Sequence, residues 1–146
     1  MILHTIGFTQ KTAQKFFELI RKNGIKIVID VRLNNASQLA GFSKGNDLRY
    51  FLSELCECDY THCNNLAPTK EILDGYKGKK MNWIEYEEKY NLLIKNRKAM
   101  DGFFDKYDNY QSICLLCSEP TVENCHRRLL AEMIVKEYPQ VAVKHI

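Results

Sequence analysis

Apolar residues along this chain fall into short β-branched runs separated by stretches in which they recur every three or four positions, the pattern of strands alternating with amphipathic helices. Residues 3–6 form a first apolar run that ends at Gly7, as a strand feeding a turn does. Ala13, Phe16, Phe17 and Ile20 then lie at i, i+3, i+4 and i+7, with Thr12 placed to cap a helix and Asn23-Gly24 to stop it. Residues 25–31 are nearly continuous and rich in Ile and Val, which is how a strand covered on both faces reads. A first βαβ unit is therefore expected by residue 31.

The pattern repeats. Asn46 or Asp47 is the expected cap of a second helix running through Leu48, Phe51, Leu52 and Leu55, and a weaker strand is expected over 59–63. Residues 64–82 hold Pro68, Gly75, Gly78, Lys70, Lys77, Lys79 and Lys80 and show no clear period, so they read as a functional loop or lid, or equally as a solvated crossover. Helices are expected over 83–95, through Ile84, Tyr86, Tyr90 and Leu93, and over 99–107. Residues 112–117 make the clearest central strand. Residues 122–138 set Leu129, Leu130, Met133 and Ile134 on one helical face, and Pro139 ends that helix before a last strand over 141–146. The expected fold class is α/β: a single three-layer, Rossmann-like domain over 1–146, with a mostly parallel sheet of about five strands and helices on both faces.

Composition narrows the functional classes without choosing one. With 45% hydrophobic and 27% charged residues, 7 Gly and 3 Pro, the chain resembles an ordinary globular protein rather than a disordered or low-complexity one. A net charge of +3 is too mild to mark a nucleic-acid binder by bulk electrostatics. The first residues lack the basic flank and apolar stretch of a secretory signal, so a cytoplasmic protein is expected. No apolar run approaches the roughly 18 residues that span a bilayer, so no membrane partner is expected. In that reducing setting the six cysteines are expected to be thiols rather than disulfides.

Open parallel sheets bind ligands beyond the carboxyl ends of their strands. The richest chemistry falls at one such end. Cys117 closes the central strand, Glu119 follows, and Cys125, His126, Arg127 and Arg128 fall in or near the first turn of the next helix. A helix N-terminus and two arginines lower a thiol pKa and attract anions. One reading makes Cys117 or Cys125 a nucleophile, with His126 and Glu119 moving protons. The other makes these cysteines small core residues and the arginines surface ion pairs, and Cys56, Cys58 and Cys114 fit that reading best.

A metal site is a third reading. Cys114 and Cys117 have CxxC spacing but point to opposite faces of a strand, so the better set is Cys117, Cys125 and His126 with His62 or Cys63. No ligand is assigned to a metal on spacing alone. Asp30 and Arg32 flank one strand end on the same side, where they can pair with each other or address a phosphate or carboxylate. Interleaved basic and aromatic residues (Arg49, Tyr50, Lys70, Trp83, Tyr86) fit a single-strand nucleic-acid surface, although helical spacing places Trp83 and Tyr86 in the core. Neither a GxGxxG nor a Walker loop is present.

Thr5-Ile6-Gly7, Ile29-Asp30-Val31-Arg32, Phe42-Ser43-Lys44, Tyr60-Thr61-His62, Leu115-Leu116-Cys117-Ser118-Glu119 and Cys125-His126-Arg127-Arg128-Leu129 resemble, in order, domain-of-unknown-function family 488. The resemblance implies an α/β domain with functionally important cysteines, in a family without a settled general activity. Where that family often has His-Ser and a Pro-containing basic segment, this chain has Phe8-Thr9 and residues 33–38. The resulting expectation is an enzyme acting on an anionic nucleotide or nucleic-acid substrate. Its catalytic candidates are Cys117, Glu119, Cys125 and His126, and its binding candidates are Asp30, Arg32, Lys44, His62 and Arg127. The cofactor and oligomeric state are left open. The alternatives are a non-catalytic anion- or nucleic-acid-binding module and a structural Cys/His metal site.

Overall fold

A computed structural model describes residues 1–36 and 40–146. Its five strands are β1 (Ile2–Gly7), β2 (Ile27–Asp30), β3 (Asp59–His62), β4 (Ser112–Cys117) and β5 (Ala142–His145). They form one all-parallel sheet in the order β3-β2-β4-β1-β5. Six helices accompany it: α1 (Ala13–Lys22), α2 (Gly45–Cys56), α3 (Lys70–Lys77), α4 (Trp83–Asn96), α5 (Phe103–Tyr107) and α6 (His126–Glu137). Among the described residues no helix is long and apolar enough to cross a membrane.

Alternation along the central strand divides the core in two. Cys114 and Leu116 join Ile6, Phe16, Ile20, Val28, Leu48 and Leu52 under α1 and α2. Ile113, Leu115 and Cys117 join Leu3, Ile29, Tyr90, Ile94, Leu129 and Ile134 under α4 and α6. All six residues of β4 are buried, as a strand between two helical layers requires. The three-layer α/β architecture expected from the pattern is present. Cys114 and Cys117 do belong to opposite layers, so their CxxC spacing cannot chelate.

Several boundaries differ from the sequence reading, each for a local reason. Residues 64–82 are not irregular: a 3-10 turn at Asn64–Leu66 leads into α3, whose cap is Thr69, with Oγ1 accepting from the Ile72 amide at 3.2 Å. Only one side of this two-turn helix packs, through Ile72 and Tyr76, so its period is too short to read against the surrounding lysines. Tyr76 places its ring 5.6 Å from that of Trp83 and 5.3 Å from that of Tyr86, which fixes α3 against α4 and makes both aromatics packing residues.

The cap of α2 is Lys44, not Asn46 or Asp47, because the 3-10 turn Gly41–Ser43 runs directly into the helix. The helix expected over 99–107 is confined to α5 because Gly102 has φ +70°. The last helix begins at His126 rather than 122. Its N-cap is Cys125, and the preceding segment is held as a loop by the contacts described below. Ser37 and Gln38, where the basic segment of related sequences falls, lie outside the described residues.

Candidate functional site

The connections β1-α1-β2-α2-β3 progress toward one sheet edge with α1 and α2 on one face. Those from β3 through β4 and α6 to β5 return across the sheet on the other face. Adjacent strands β2 and β4 therefore send their following loops to opposite faces, the kind of strand end at which parallel sheets bind ligands, and here buried side chains fill it. Two buried polar clusters occupy that edge, one on each side of the sheet.

The first cluster joins the end of β4 to the start of α6. Cys117 Sγ lies 3.6 Å from His126 Nδ1 and 3.7 Å from Nε2, and the donor atoms of Cys117, Cys125 and His126 all lie within 4.8 Å of one another. His126 Nε2 is 2.8 Å from the Val31 carbonyl just beyond β2. A carbonyl can only accept, so Nε2 carries the proton, and in the neutral ring Nδ1 is left with the free lone pair. Burial lowers the His126 pKa and keeps the ring neutral. His126 thus spans the β2–β4 gap, anchored on one strand and facing the thiol of the other.

The pKa values of the two thiols move in opposite directions. A hydrogen bond from Cys125, followed by the Ser118 amide and the charge of Arg127, lowers the Cys117 pKa even against complete burial. The hydrogen bond to Cys117, then burial, raises that of Cys125. Burial raises the other shifted thiols, Cys56 and Cys114, and pushes Cys58 up to about 12. All six cysteines are free thiols.

Arg127 is buried at 1% exposure. Nη1 donates to the Glu119 carbonyl at 2.6 Å and to Cys125 Sγ at 3.3 Å. Among the described residues no carboxylate pairs with it, and its Nε has no acceptor. A buried cation without an anion is costly, so negative charge on the adjacent sulfur pair is its natural complement. Glu119 contributes its backbone: its side chain is exposed, while its carbonyl bonds Arg127. The same carbonyl rests on Gly7, where an added Cβ would collide with it, so no residue larger than glycine fits that close approach. Thr9 fastens the two loops further, with its amide and hydroxyl both donating to the Ser118 carbonyl.

The second cluster lies at the end of β2 on the α1/α2 face. Arg32 grips Asp30 through Nε–Oδ1 at 2.8 Å and Nη2–Oδ2 at 2.7 Å, both side chains being almost fully buried. Nη2 also donates to the Ser43 carbonyl at 2.7 Å, and the guanidinium stands 5.0 Å from the Phe8 ring centre. The Tyr60 hydroxyl donates to Asp30 Oδ2 at 2.6 Å and accepts from Asn35 Nδ2 at 3.0 Å. Burial first, then the Asp30 carboxylate, push the Tyr60 pKa up to about 12, so the phenol remains a donor. This network consumes the donors that the sequence reading reserved for an anion.

His62 sits beside this network, with Nε2 2.7 Å from the Arg32 carbonyl, and neither His62 nor Cys63 belongs to the Cys117–Cys125–His126 group. Lys44 is half-buried at the start of α2 and makes no side-chain bond among the described residues. The structure therefore brings together Cys117, Cys125, His126 and Arg127, and separately Asp30 and Arg32 with His62 nearby. It also shows contributors that sequence reading missed: the Val31 carbonyl, Gly7, Tyr60 and Ser43. Gly7, Ser43 and Tyr60 each stand in a motif quoted above, and Tyr60 also lies two positions before His62 on one strand face. Lys11 is a further one, in the β1–α1 loop, its pKa lowered by burial and by the neighbouring charge of Arg127.

A family model described as domain of unknown function DUF488 matches residues 12–134, and the chain belongs to that family. No curated protein and no solved structure matches the chain significantly.

Proposed function

We propose that this DUF488 protein is a thiol-dependent enzyme whose nucleophile is Cys117. The observation that supports this reading is the Cys117–His126–Val31 arrangement: a thiol beside an imidazole nitrogen, with the opposite nitrogen held by a third group. Cys117 attacks an electrophilic centre of the substrate, and its proton passes to His126 Nδ1 and then to the leaving group. Water hydrolyses the resulting thio-adduct, with His126 accepting the proton of the water, and Cys117 is regenerated. Cys125 acts as hydrogen-bond donor to the thiolate, and Arg127 holds the 118–125 loop and balances its charge. Glu119 serves through its carbonyl.

The substrate class is an anion, such as a nucleotide or a nucleic-acid phosphate. Lys11 supplies the basic rim, Arg128 being held by the Glu132 carboxylate at 2.7 Å, while Arg32, Asp30 and His62 shape the edge from the opposite face. Lys44 adds a half-buried cation at the start of α2.

Alkylation with mass-spectrometric readout tests both parts. Cys117 is expected to react fastest of the six cysteines at pH 7, and with negatively charged iodoacetate faster, relative to iodoacetamide, than a free thiol does. Added salt should erase that preference. Preferential labelling of Cys56 or Cys63 with Cys117 untouched would overturn the nucleophile, and a salt-independent ratio would overturn the anionic substrate.

A further inference from the structure

We infer that Cys117, Cys125 and His126 also form a binding site for a thiophilic divalent cation, Zn²⁺, in which the proposed nucleophile is masked. This inference rests on the reading above for its consequence but on separate geometry for its existence. The three donor atoms are of the types Zn²⁺ prefers, are all buried, and lie within 4.8 Å of one another. With Zn–S of about 2.3 Å and Zn–N of about 2.0–2.1 Å, a tetrahedral ion separates sulfur and nitrogen ligands by about 3.5 Å. The Cys117 Sγ to His126 Nδ1 distance is 3.6 Å.

The surroundings match as well. Metal-bound histidines donate their other N–H to a carbonyl or carboxylate, which fixes the ring, and His126 does this to Val31 at 2.8 Å. Arg127 Nη1 reaches Cys125 Sγ at 3.3 Å, the position from which a cation stabilises a coordinated thiolate. No oxygen ligand belongs to the group among the described residues, which disfavours Mg²⁺ and Ca²⁺. The sulfur is nearly equidistant from both ring nitrogens, so seating the ion needs a rotation of the Cys117 side chain toward Nδ1. Zn²⁺ displaces the protons of whichever thiols are protonated, and a water or exogenous donor takes the fourth position.

Metal binding and nucleophilic attack are then alternative states of one site: coordination ties up the sulfur lone pair that would attack. The test uses the reduced full-length chain with Zn²⁺ and, as a spectroscopic probe, Co²⁺. One Zn²⁺ per chain is expected, with a thiolate-to-cobalt charge-transfer band, and Zn²⁺ should slow Cys117 alkylation at least tenfold until a chelator is added. Cys125→Ser should weaken binding at least tenfold, and serine is a favoured residue at this N-cap position, so the helix is retained. Cys63→Ser should change nothing.

Absence of stoichiometric binding, or binding indifferent to Cys125→Ser, would overturn the metal site. The two proposals fail separately: a metal-free Cys117 that reacts but no bound Zn²⁺ removes only the metal site. Bound Zn²⁺ with an inert metal-free Cys117 removes only the nucleophile.

Discussion

His126 donates from Nε2 to the carbonyl of Val31 at 2.8 Å, so a side chain at the start of α6 closes the carboxyl end of the gap between β2 and β4. That one bond sets the tautomer and the ring orientation, while Cys117 Sγ lies nearly equidistant from the two ring nitrogens, at 3.6 and 3.7 Å. His126→Ala leaves that buried carbonyl without its partner and opens a cavity beside Tyr90, whose ring centre is 5.3 Å away. A loss of about 2–4 kcal/mol in urea unfolding is expected, together with slower alkylation of Cys117. An unchanged alkylation rate would show that the imidazole does not act on the thiol.

Gly7→Ala separates the loop from the strand. Its new Cβ collides with the Glu119 carbonyl, a backbone atom that cannot swing aside as a side chain could. The 118–125 loop must lift, at a cost of about 1–3 kcal/mol. Because that loop covers Cys117, the variant should be less stable yet more readily alkylated there. Lower stability with unaltered Cys117 accessibility would count against the loop as the cover of the site.

Asp30→Ala tests the second cluster. It leaves the Arg32 guanidinium buried without its carboxylate and removes the acceptor of Tyr60, so a loss of about 3–5 kcal/mol is expected. Tyr60→Phe, which removes one hydrogen bond and keeps the ion pair, should cost about 1 kcal/mol. Comparable losses in the two variants would contradict the ion pair as the centre of the network.

Stability should also fall in mild acid. His4 is buried in β1, with Nδ1 3.3 Å from the Ile113 carbonyl and 3.2 Å from Ser112 Oγ; burial lowers its pKa from 6.5, and nearby Lys144 lowers it further. The unfolded chain therefore binds a proton at higher pH than the folded one. The contribution of His4 to stability is fully present above pH 6.5 and is lost as the pH falls toward the folded-state value, at no more than about 1.4 kcal/mol per pH unit. Urea midpoints measured from pH 8 to pH 5 should show this slope, and His4→Gln should flatten part of it. An equal slope in the variant would assign the effect to other groups.

Much of the architecture is legible in the residues themselves, because burial between two helical layers demands a particular pattern. The Ser112–Cys117 run is apolar on both sides, and Ala13 to Ile20 places its large side chains on one helical face. Either feature is local and survives without knowledge of the partner. α3 escaped because two turns packed by Ile72 and Tyr76 leave too few positions to establish a period. The start of α6 shifted because its loop is set by a distant pair, Arg127 on the Glu119 carbonyl against Gly7.

For the site, the sequence by itself determined which residue types lie at the end of the central strand and at the start of the helix that follows, since a strand-to-helix connection leaves both at the same end of a parallel sheet. The tertiary structure decided their partners. Strand parity placed Asp30 and Arg32 on the face opposite Cys117, so residues that read as one cleft became two clusters. The tertiary structure also turned Arg32 and Arg127 inward and recruited the Val31 carbonyl. A backbone group has no identity in a sequence, and a buried charge finds its complement only when strands ending 30 and 117 residues into the chain come to lie side by side.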